Sequence, residues 1–323
     1  MPNAVTVDRV GGPEVLHWGA VEVGDPAPGE VRIAQRAAGL NYIDVYHRTG
    51  AYPLPLPFIP GVEGAGVVEA LGEGVTGLAV GDRVAYAGPV GGYAEARLIA
   101  ADRLVKLPEA IGFDQAAAMM LKGMTAHMLL RSVYRVQPGD TILVHAAAGG
   151  VGLIMCQWAA ALGATVIGSV STTAKAELAH AHGCHHPILY GEQDFVAEVA
   201  RITGGEKTAV VYDSVGKDTF LRSLDCLRPR GMMASFGQSS GVIEPFAPAL
   251  LAQKGSLFLT RPTLYNYIAD PAELQAAAAE LFEVVASGKV NIEIGRRFAL
   301  ADAADAHRAL EGRRTTGSTV LTI

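Results

Sequence analysis

Residues 145–152 read His-Ala-Ala-Ala-Gly-Gly-Val-Gly. His145 is the only side chain there able to act as acid, base or nucleophile, so any chemistry of this stretch belongs to its backbone. It follows an apolar strand candidate, Thr141–His145, and opens the apolar helical stretch that begins at Val151-Gly152-Leu153. In that setting Gly149 permits a tight turn and close approach of the backbone to a pyrophosphate, while Gly152 lets the helix pack closely on the strand. The helix amino terminus then offers free N–H groups and the positive end of a dipole. Ala148, Gly149, Gly150, Val151 and Gly152 are therefore candidate ligands of a dinucleotide. A corner of small residues packed without any ligand would use the same letters.

A second position tests the idea. Roughly 20 residues beyond such a turn, chains that bind NAD carry Asp or Glu to accept from the ribose 2′-hydroxyl. Here the end of the next strand candidate reads Ser171-Thr172-Thr173-Ala174-Lys175, with no carboxylate. Hydroxyls and an ammonium accommodate a 2′-phosphate that a carboxylate would repel, so Ser171 and Lys175 favour NADPH over NADH.

The elements that would position these residues form an α/β chain. The first third alternates short apolar runs with Gly, Pro and Asp, as in Val31–Leu40, Glu63–Gly72, Gly81–Gly88 and Gly91–Ala100, and reads as β-rich. The run Tyr52–Gly61 holds four prolines and is expected to be a loop. From Phe113 a long apolar stretch predicts a helix that ends before the Gln137–Asp140 turn. Strand candidates Thr141–His145, Thr165–Ser169, Ile188–Leu189, Ala209–Asp213, Met232–Phe236 and Ser256–Arg261 then alternate with helices, the pattern of a doubly wound parallel sheet. A helix near Pro271–Ser287 and a strand-like tail, Gly317–Ile323, complete the chain, and the tail is expected to return to the first domain.

Composition limits the partners. With 323 residues, half of them hydrophobic, the chain has room for about two domains. The net charge of −6 and dispersed basic residues leave no stripe to replace counterions along a nucleic acid. No segment approaches the roughly 18 apolar residues of a membrane span, and no secretory leader pattern opens the sequence. Three widely spaced cysteines suit a reducing compartment, so a cytoplasmic protein is expected. The tract His180–His186 packs His180, His182, Cys184, His185 and His186 together, a composition that can capture transition metals, although its spacing matches no closed zinc motif.

Several blocks in order carry a resemblance: "AAGLNYIDVYHRTGAYP", "PGVEGAGVVEALGEGV", "GDRV", "LKGMTAHMLL", "HAAAGGVGLI", "VVYDSVGKDTFLRSLDCL", "GMMASFGQSSG" and "KGSLFLTRP". Over its whole length the sequence resembles the zinc-independent, ζ-crystallin-like quinone oxidoreductases of the medium-chain dehydrogenase/reductase superfamily. The resemblance implies a GroES-like β-barrel catalytic domain of residues 1–124 and 266–323 around a Rossmann domain of residues 125–265. A cleft between the two would hold cofactor and quinone. It also implies dimers or tetramers joined edge to edge through the strand near Ser256–Pro262. Asn41 and Val62 stand where zinc-containing relatives carry cysteine and histidine ligands, only Glu63 of that Gly-His-Glu motif remains, and residues 87–105 lack the four cysteines of the structural zinc loop. No metal is therefore expected.

The resemblance assigns roles. Asn41, Tyr46 and Tyr52 would line the reacting site, with Asn41 and Thr125 near the nicotinamide and Lys122 supporting that region. The 2′-phosphate would lie among Ser171, Lys175 and Tyr190, with Arg313, or Arg314 beside it, reaching the cofactor from the tail. Phe236, Gly237 and Gln238 would pass close to the cofactor at a strand end. The implied activity is NADPH-dependent quinone reduction by hydride transfer from nicotinamide C4, without metal because a quinone spreads incoming charge over its own π system. Reduction of alkenals, enones or enoyl thioesters uses the same chemistry and is the alternative enzyme reading. A non-catalytic NADPH-binding protein with a structural or RNA-binding role is the alternative of another kind.

Overall fold

The computed structural model describes residues 1–323. Two compact units divide the chain: Met1–Met124 with Ala269–Ala286 and Ile292–Ile323, and Thr125–Ile268 with Ser287–Asn291. In chain order the elements are β1 (Asn3–Val7), β2 (Leu16–Ala20), β3 (Glu30–Leu40), α1 (Tyr42–Thr49), β4 (Glu63–Leu71), β5 (Arg83–Ala87), β6 (Ala96–Ala100), β7 (Val105–Lys106) and α2 (Phe113–His127). Then come β8 (Thr141–His145), α3 (Gly150–Ala161), β9 (Thr165–Val170), α4 (Thr173–Ala181), β10 (His186–Leu189), α5 (Phe195–Ile202), β11 (Thr208–Asp213), α6 (Phe220–Ser223), β12 (Leu227–Ser235), α7 (Ala249–Gln253), β13 (Phe258–Thr260) and α8 (Leu264–Tyr267). The chain ends with α9 (Pro271–Ala286), β14 (Ile294–Ala299), α10 (Ala303–Glu311) and β15 (Ser318–Thr322).

The first unit is built around β3, which pairs antiparallel with β4, β6 and β15 in a seven-stranded sheet ordered β14-β15-β3-β4-β5-β7. Val31 and Ile33 of β3 point inward with Val68, Val84, Tyr86, Ile99 and Leu104, the period-2 alternation that one buried sheet face requires. The tail returns here as its sequence suggests, Thr319 opposite Leu40 and Thr322 opposite Ala37.

The second unit is a six-stranded sheet, parallel throughout and ordered β10-β9-β8-β11-β12-β13. Helices follow most strands, so the central ones are buried on both faces and read as continuous apolar runs: every residue of β11 is buried. Counted within this unit, the third, second and first strands are followed by the fourth, fifth and sixth. That order reverses direction between β8 and β11, and such a reversal opens a crevice at the carboxyl ends of the strands.

Several elements differ from the sequence reading; β14 and α10 lie where it placed none. β13 covers only Phe258–Thr260, because Ser256 takes a left-handed φ of 55° that ends extended backbone before it. β12 starts earlier, at Leu227, and stops at Ser235. The long helix is α-helical to His127 and continues as π-helical turns over Met128–Val133. The β-rich first third also contains a helix, α1. Asn41 is its extended N-cap (φ −133°, ψ 156°), and Gly50 ends it in the left-handed conformation at φ 80°. No helix is long and apolar enough to cross a membrane.

Candidate functional site

In the first unit, three of the expected site residues lie on or just beyond α1. Asn41 caps it, Tyr46 stands in its second turn, and the chain leaving it brings Tyr52 back, with the Tyr52 N–H donating to the Tyr46 carbonyl at 3.0 Å. The Tyr46 and Tyr52 rings meet with centroids 4.9 Å apart, tilted by 52°, and Tyr42 packs edge-on to Tyr46 at 5.4 Å. This is a half-buried aromatic wall carrying three phenols, suited to stacking on a flat ring and to hydrogen-bonding its oxygens.

Asn41 is held on two sides by buried carboxylates. Its backbone N–H donates to Asp44 Oδ2 at 2.9 Å, and its side-chain Nδ2 donates to Glu63 Oε1 at 2.9 Å. Glu63 opens β4 and is wholly buried; Lys122 Nζ of α2 donates to its Oε1, and the Leu121 N–H donates to its Oε2 at 2.7 Å. Thr125 follows one turn later on α2.

Behind Asn41 a buried polar chain crosses the unit. Tyr93 Oη donates to Asp44 Oδ2 at 2.9 Å and lies 3.3 Å from His307 Nε2, while Arg48 Nη1 lies 3.1 Å from His307 Nδ1. Arginine only donates, so His307 accepts at Nδ1 and carries its proton on Nε2, facing Tyr93. Burial, reinforced by the Arg48 charge, drives the His307 pKa down to about 3. Burial pushes the Asp44 carboxyl up to about 7 against its hydrogen bonds to Asn41 and Tyr93, and its Oδ1 has no partner.

In the second unit, the glycine turn joins β8 to α3 at the reversal of strand order. Gly149 is the N-cap of α3, and no side chain caps it. A Cβ at Gly149 would lie 3.2 Å from the Ala146 carbonyl oxygen, and one at Gly152 would lie 2.4 Å from that oxygen and 2.7 Å from the Ala147 carbonyl oxygen. Gly152 is thus required by the close approach of the helix to the turn that precedes it, while Gly149 is tightly placed. Ala146 itself has φ 54°, and its carbonyl accepts from the Gly149 N–H at 2.9 Å. The first-turn N–H groups of α3, at Gly150, Val151 and Gly152, are those that a helix amino terminus leaves outside its own ladder.

At the end of β9, Ser171 and Lys175 are half-buried, Thr172 caps α4 by accepting from the Lys175 N–H, and no carboxylate stands among residues 171–175. Tyr190, just past β10 and 46% exposed, completes that corner beside β9. The loop after β12 passes tightly over the loop after β11: the Phe236 N–H donates to the Asp213 carbonyl at 2.8 Å, and a Cβ on Gly237 would lie 2.5 Å from the Ser214 carbonyl oxygen. Gln238 follows, its Cα 2.9 Å from where a Cβ on Gly216 would sit. The Asp213 carboxylate organises this loop by accepting from the N–H groups of Val215 and Gly216 and from Thr219.

Both ring nitrogens of His145 are taken up inside the second unit. Its Nε2 lies 2.8 Å from Ser223 Oγ, which donates to the Thr219 carbonyl, and its Nδ1 lies 2.7 Å from Ser169 Oγ. Burial lowers its pKa and keeps it a neutral strut between β8, β9 and α6. Arg313 is exposed in the turn after α10. In the histidine tract, the Nδ1 atoms of His180, His182 and His185 are each hydrogen-bonded to backbone, and no group of three His, Cys, Asp or Glu side chains gathers in metal-ligating geometry anywhere in the chain.

Sequence reasoning missed Asp44, Arg48, Tyr93 and His307. One signal was available: Asn41-x-x-Asp44 before an apolar-periodic stretch is the spacing of a capping box.

The family model "Alcohol dehydrogenase GroES-like domain" matches residues 27–109, and "Zinc-binding dehydrogenase" matches residues 150–283. A quinone oxidoreductase of Pseudomonas aeruginosa is 55% identical over 99% of both chains, and a 2-haloacrylate reductase of a Burkholderia species is 48% identical over 99% of both. Among solved structures, Escherichia coli quinone oxidoreductase complexed with NADPH superposes with a TM-score of 0.98 at 47% identity, covering 99% of this chain and all of that one.

Proposed function

The chain belongs to the quinone oxidoreductases of the zinc-binding dehydrogenase family, and from that premise we propose that it reduces small-molecule quinones by hydride transfer from NADPH. The observation that carries this reading is the corner at the ends of β8 and β9. There a glycine turn that leaves no room for a Cβ at Gly152, an uncapped helix amino terminus and the carboxylate-free Ser171–Lys175 segment fit a pyrophosphate and a 2′-phosphate together.

When bound, the cofactor supplies a hydride at nicotinamide C4. The N–H groups of Gly150, Val151 and Gly152 hold its pyrophosphate, with Ala148 and Gly149 giving the backbone room to approach. Ser171, Lys175 and Tyr190 take the 2′-phosphate, and Arg313 adds a cation to the cofactor. Asn41, Thr125, Phe236, Gly237 and Gln238 orient the nicotinamide end. Tyr46 and Tyr52 orient the quinone by ring contact and hydrogen bonds to its oxygens. A quinone takes the incoming charge into its own π system, so these phenols need not be obligatory acids.

A second reading concerns activated double bonds, and the 48% identity to a 2-haloacrylate reductase favours it. Orienting a conjugated acceptor asks the same of Tyr46 and Tyr52. NADPH oxidation measured side by side with 1,4-benzoquinone, 9,10-phenanthrenequinone, 2-chloroacrylate, an alkenal and crotonyl-CoA separates the two. Preference for the quinones supports the first reading; turnover of only the acrylate, alkenal or thioester moves the enzyme to double-bond reduction.

We also place the protein in the cytoplasm, since its three cysteines are all unpaired thiols, and assign it a homodimeric state. β13 pairs only with β12, and its outer edge carries Phe258, 59% exposed, and Leu259, 38% exposed, which suits pairing with a second copy. Light scattering on the parent and on Phe258→Glu tests this: a dimer that the substitution splits supports it, and a monomeric parent refutes it.

A further inference from the structure

We infer that Glu63 and Lys122 are positioning residues that fix Asn41 as a hydrogen-bond acceptor for the bound ligand. The inference rests on the reading of Asn41 as a site residue. A carboxylate only accepts, so Glu63 Oε1 dictates that Asn41 turn its nitrogen edge toward it, at 2.9 Å, and the carboxamide cannot flip. The same nitrogen has a second, longer contact of 3.4 Å to the Gly39 carbonyl. Both amide hydrogens are therefore directed into the protein. The Asp44 N–H donates to the Asn41 backbone carbonyl at 3.1 Å, so Oδ1 is the side chain's remaining capacity. The ligand group it fits is an N–H or O–H donor.

Glu63 can do this because the fold reserves a place for its charge. The carboxylate is fully buried, shares Oε1 with the Lys122 ammonium and takes the Leu121 N–H on Oε2. A Cβ on Gly39 would come within 2.1 Å of Glu63 Oε1 and of the Ala117 carbonyl oxygen, so only glycine on β3 leaves room for the carboxylate beside Asn41. Lys122, 6% exposed, balances the charge and anchors the carboxylate from α2. Three elements thus converge on one carboxamide: β3 through Gly39, β4 through Glu63 and α2 through Lys122.

The test has two readouts. In cofactor-free protein labelled with ¹⁵N-asparagine, the Asn41 side-chain amide, assigned by its loss in Asn41→Ala, is expected to be shifted downfield and slow to exchange. In Glu63→Gln, which sets a donor against Lys122 or Leu121, that signal is expected to move and to exchange as an exposed amide does. In turnover with NADPH and 1,4-benzoquinone, Glu63→Gln is expected to lower kcat about tenfold or more, since a displaced positioning group costs on that scale, with KM for NADPH little changed. In the Asn41→Ala background the same substitution is expected to cost nothing further. If Glu63→Gln does not fold, Lys122→Met takes its place in both measurements. An unchanged Asn41 signal, or equal losses of kcat with and without Asn41, overturns the inference. Parental kcat in Asn41→Ala alone instead sinks the reading of Asn41, and the amide signal still reports whether Glu63 holds it.

Discussion

Arg48 and Glu311 meet as a two-pronged ion pair, Nη2 to Oε1 at 2.6 Å and Nη1 to Oε2 at 3.0 Å, with the arginine side chain only 1% exposed. The pair ties α1, the helix capped by Asn41, to α10 near the end of the chain. Glu311→Leu leaves a buried guanidinium without its anion and is expected to cost about 3 kcal/mol. Glu311→Gln keeps one acceptor and costs less. Urea denaturation gives both values, and equal stability of Glu311→Leu and the parent would refute the account of this pair.

Asp44 and His307, joined through Tyr93, make opposite contributions to stability as pH changes. His307 is pushed below its ordinary value, to about 3, so between about 3 and 6.5 the unfolded chain binds the extra proton and the native state gains stability as pH rises. Asp44 is raised to about 7, so between about 4 and 7 the native state holds the extra proton and loses stability as pH rises. Asp44→Asn removes the second contribution alone. Relative to the parent, the variant is expected to gain stability steadily from about pH 4 to about pH 7 and then level off. Chemical denaturation across that range checks it, and a flat difference would place the Asp44 pKa near its ordinary value.

The corner proposed to take the 2′-phosphate gives a sharper test than overall activity. Lys175→Ala removes a charge-assisted bond and is expected to raise KM for NADPH about tenfold or more while leaving KM for NADH nearly unchanged. Adding Ser171→Asp restores the carboxylate that an NAD-binding strand end carries and is expected to reverse the preference. Equal effects on both cofactors would mean that Lys175 serves the fold and not the phosphate.

Much of this was legible in the sequence. Strands buried on both faces announce themselves as uninterrupted apolar runs, so β8 and β11 were read nearly to the residue. The glycine turn was legible because backbone requirements are local. α1 was not, because Tyr42–Thr49 mixes aromatic and β-branched residues whose helical preference is weak, and only its caps betray it. Beyond the Asn41–Asp44 spacing, the buried polar chain was not legible. Arg48 and His307 are 259 positions apart, and nothing near either residue in sequence reveals the other.

The glycine turn supplies its own controls. Gly152→Ala puts a methyl group against two backbone carbonyl oxygens, which cannot yield without moving α3 off β8, and is expected to destabilise by about 1–3 kcal/mol and to weaken NADPH binding. Gly191→Ala meets nothing within 4 Å and is expected to change neither. Thermal unfolding and fluorescence titration with NADPH compare the pair, and normal binding by Gly152→Ala would remove the turn from the cofactor site.

The most direct measurement of the central claim is anaerobic oxidation of NADPH at 340 nm with 1,4-benzoquinone by the chelator-treated protein, with NADH run in parallel. Consumption of one NADPH per quinone, far faster than the buffer rate and much slower with NADH, is the predicted result. A rate no greater than that of buffer for every quinone tried, or one indifferent to the 2′-phosphate, would contradict it.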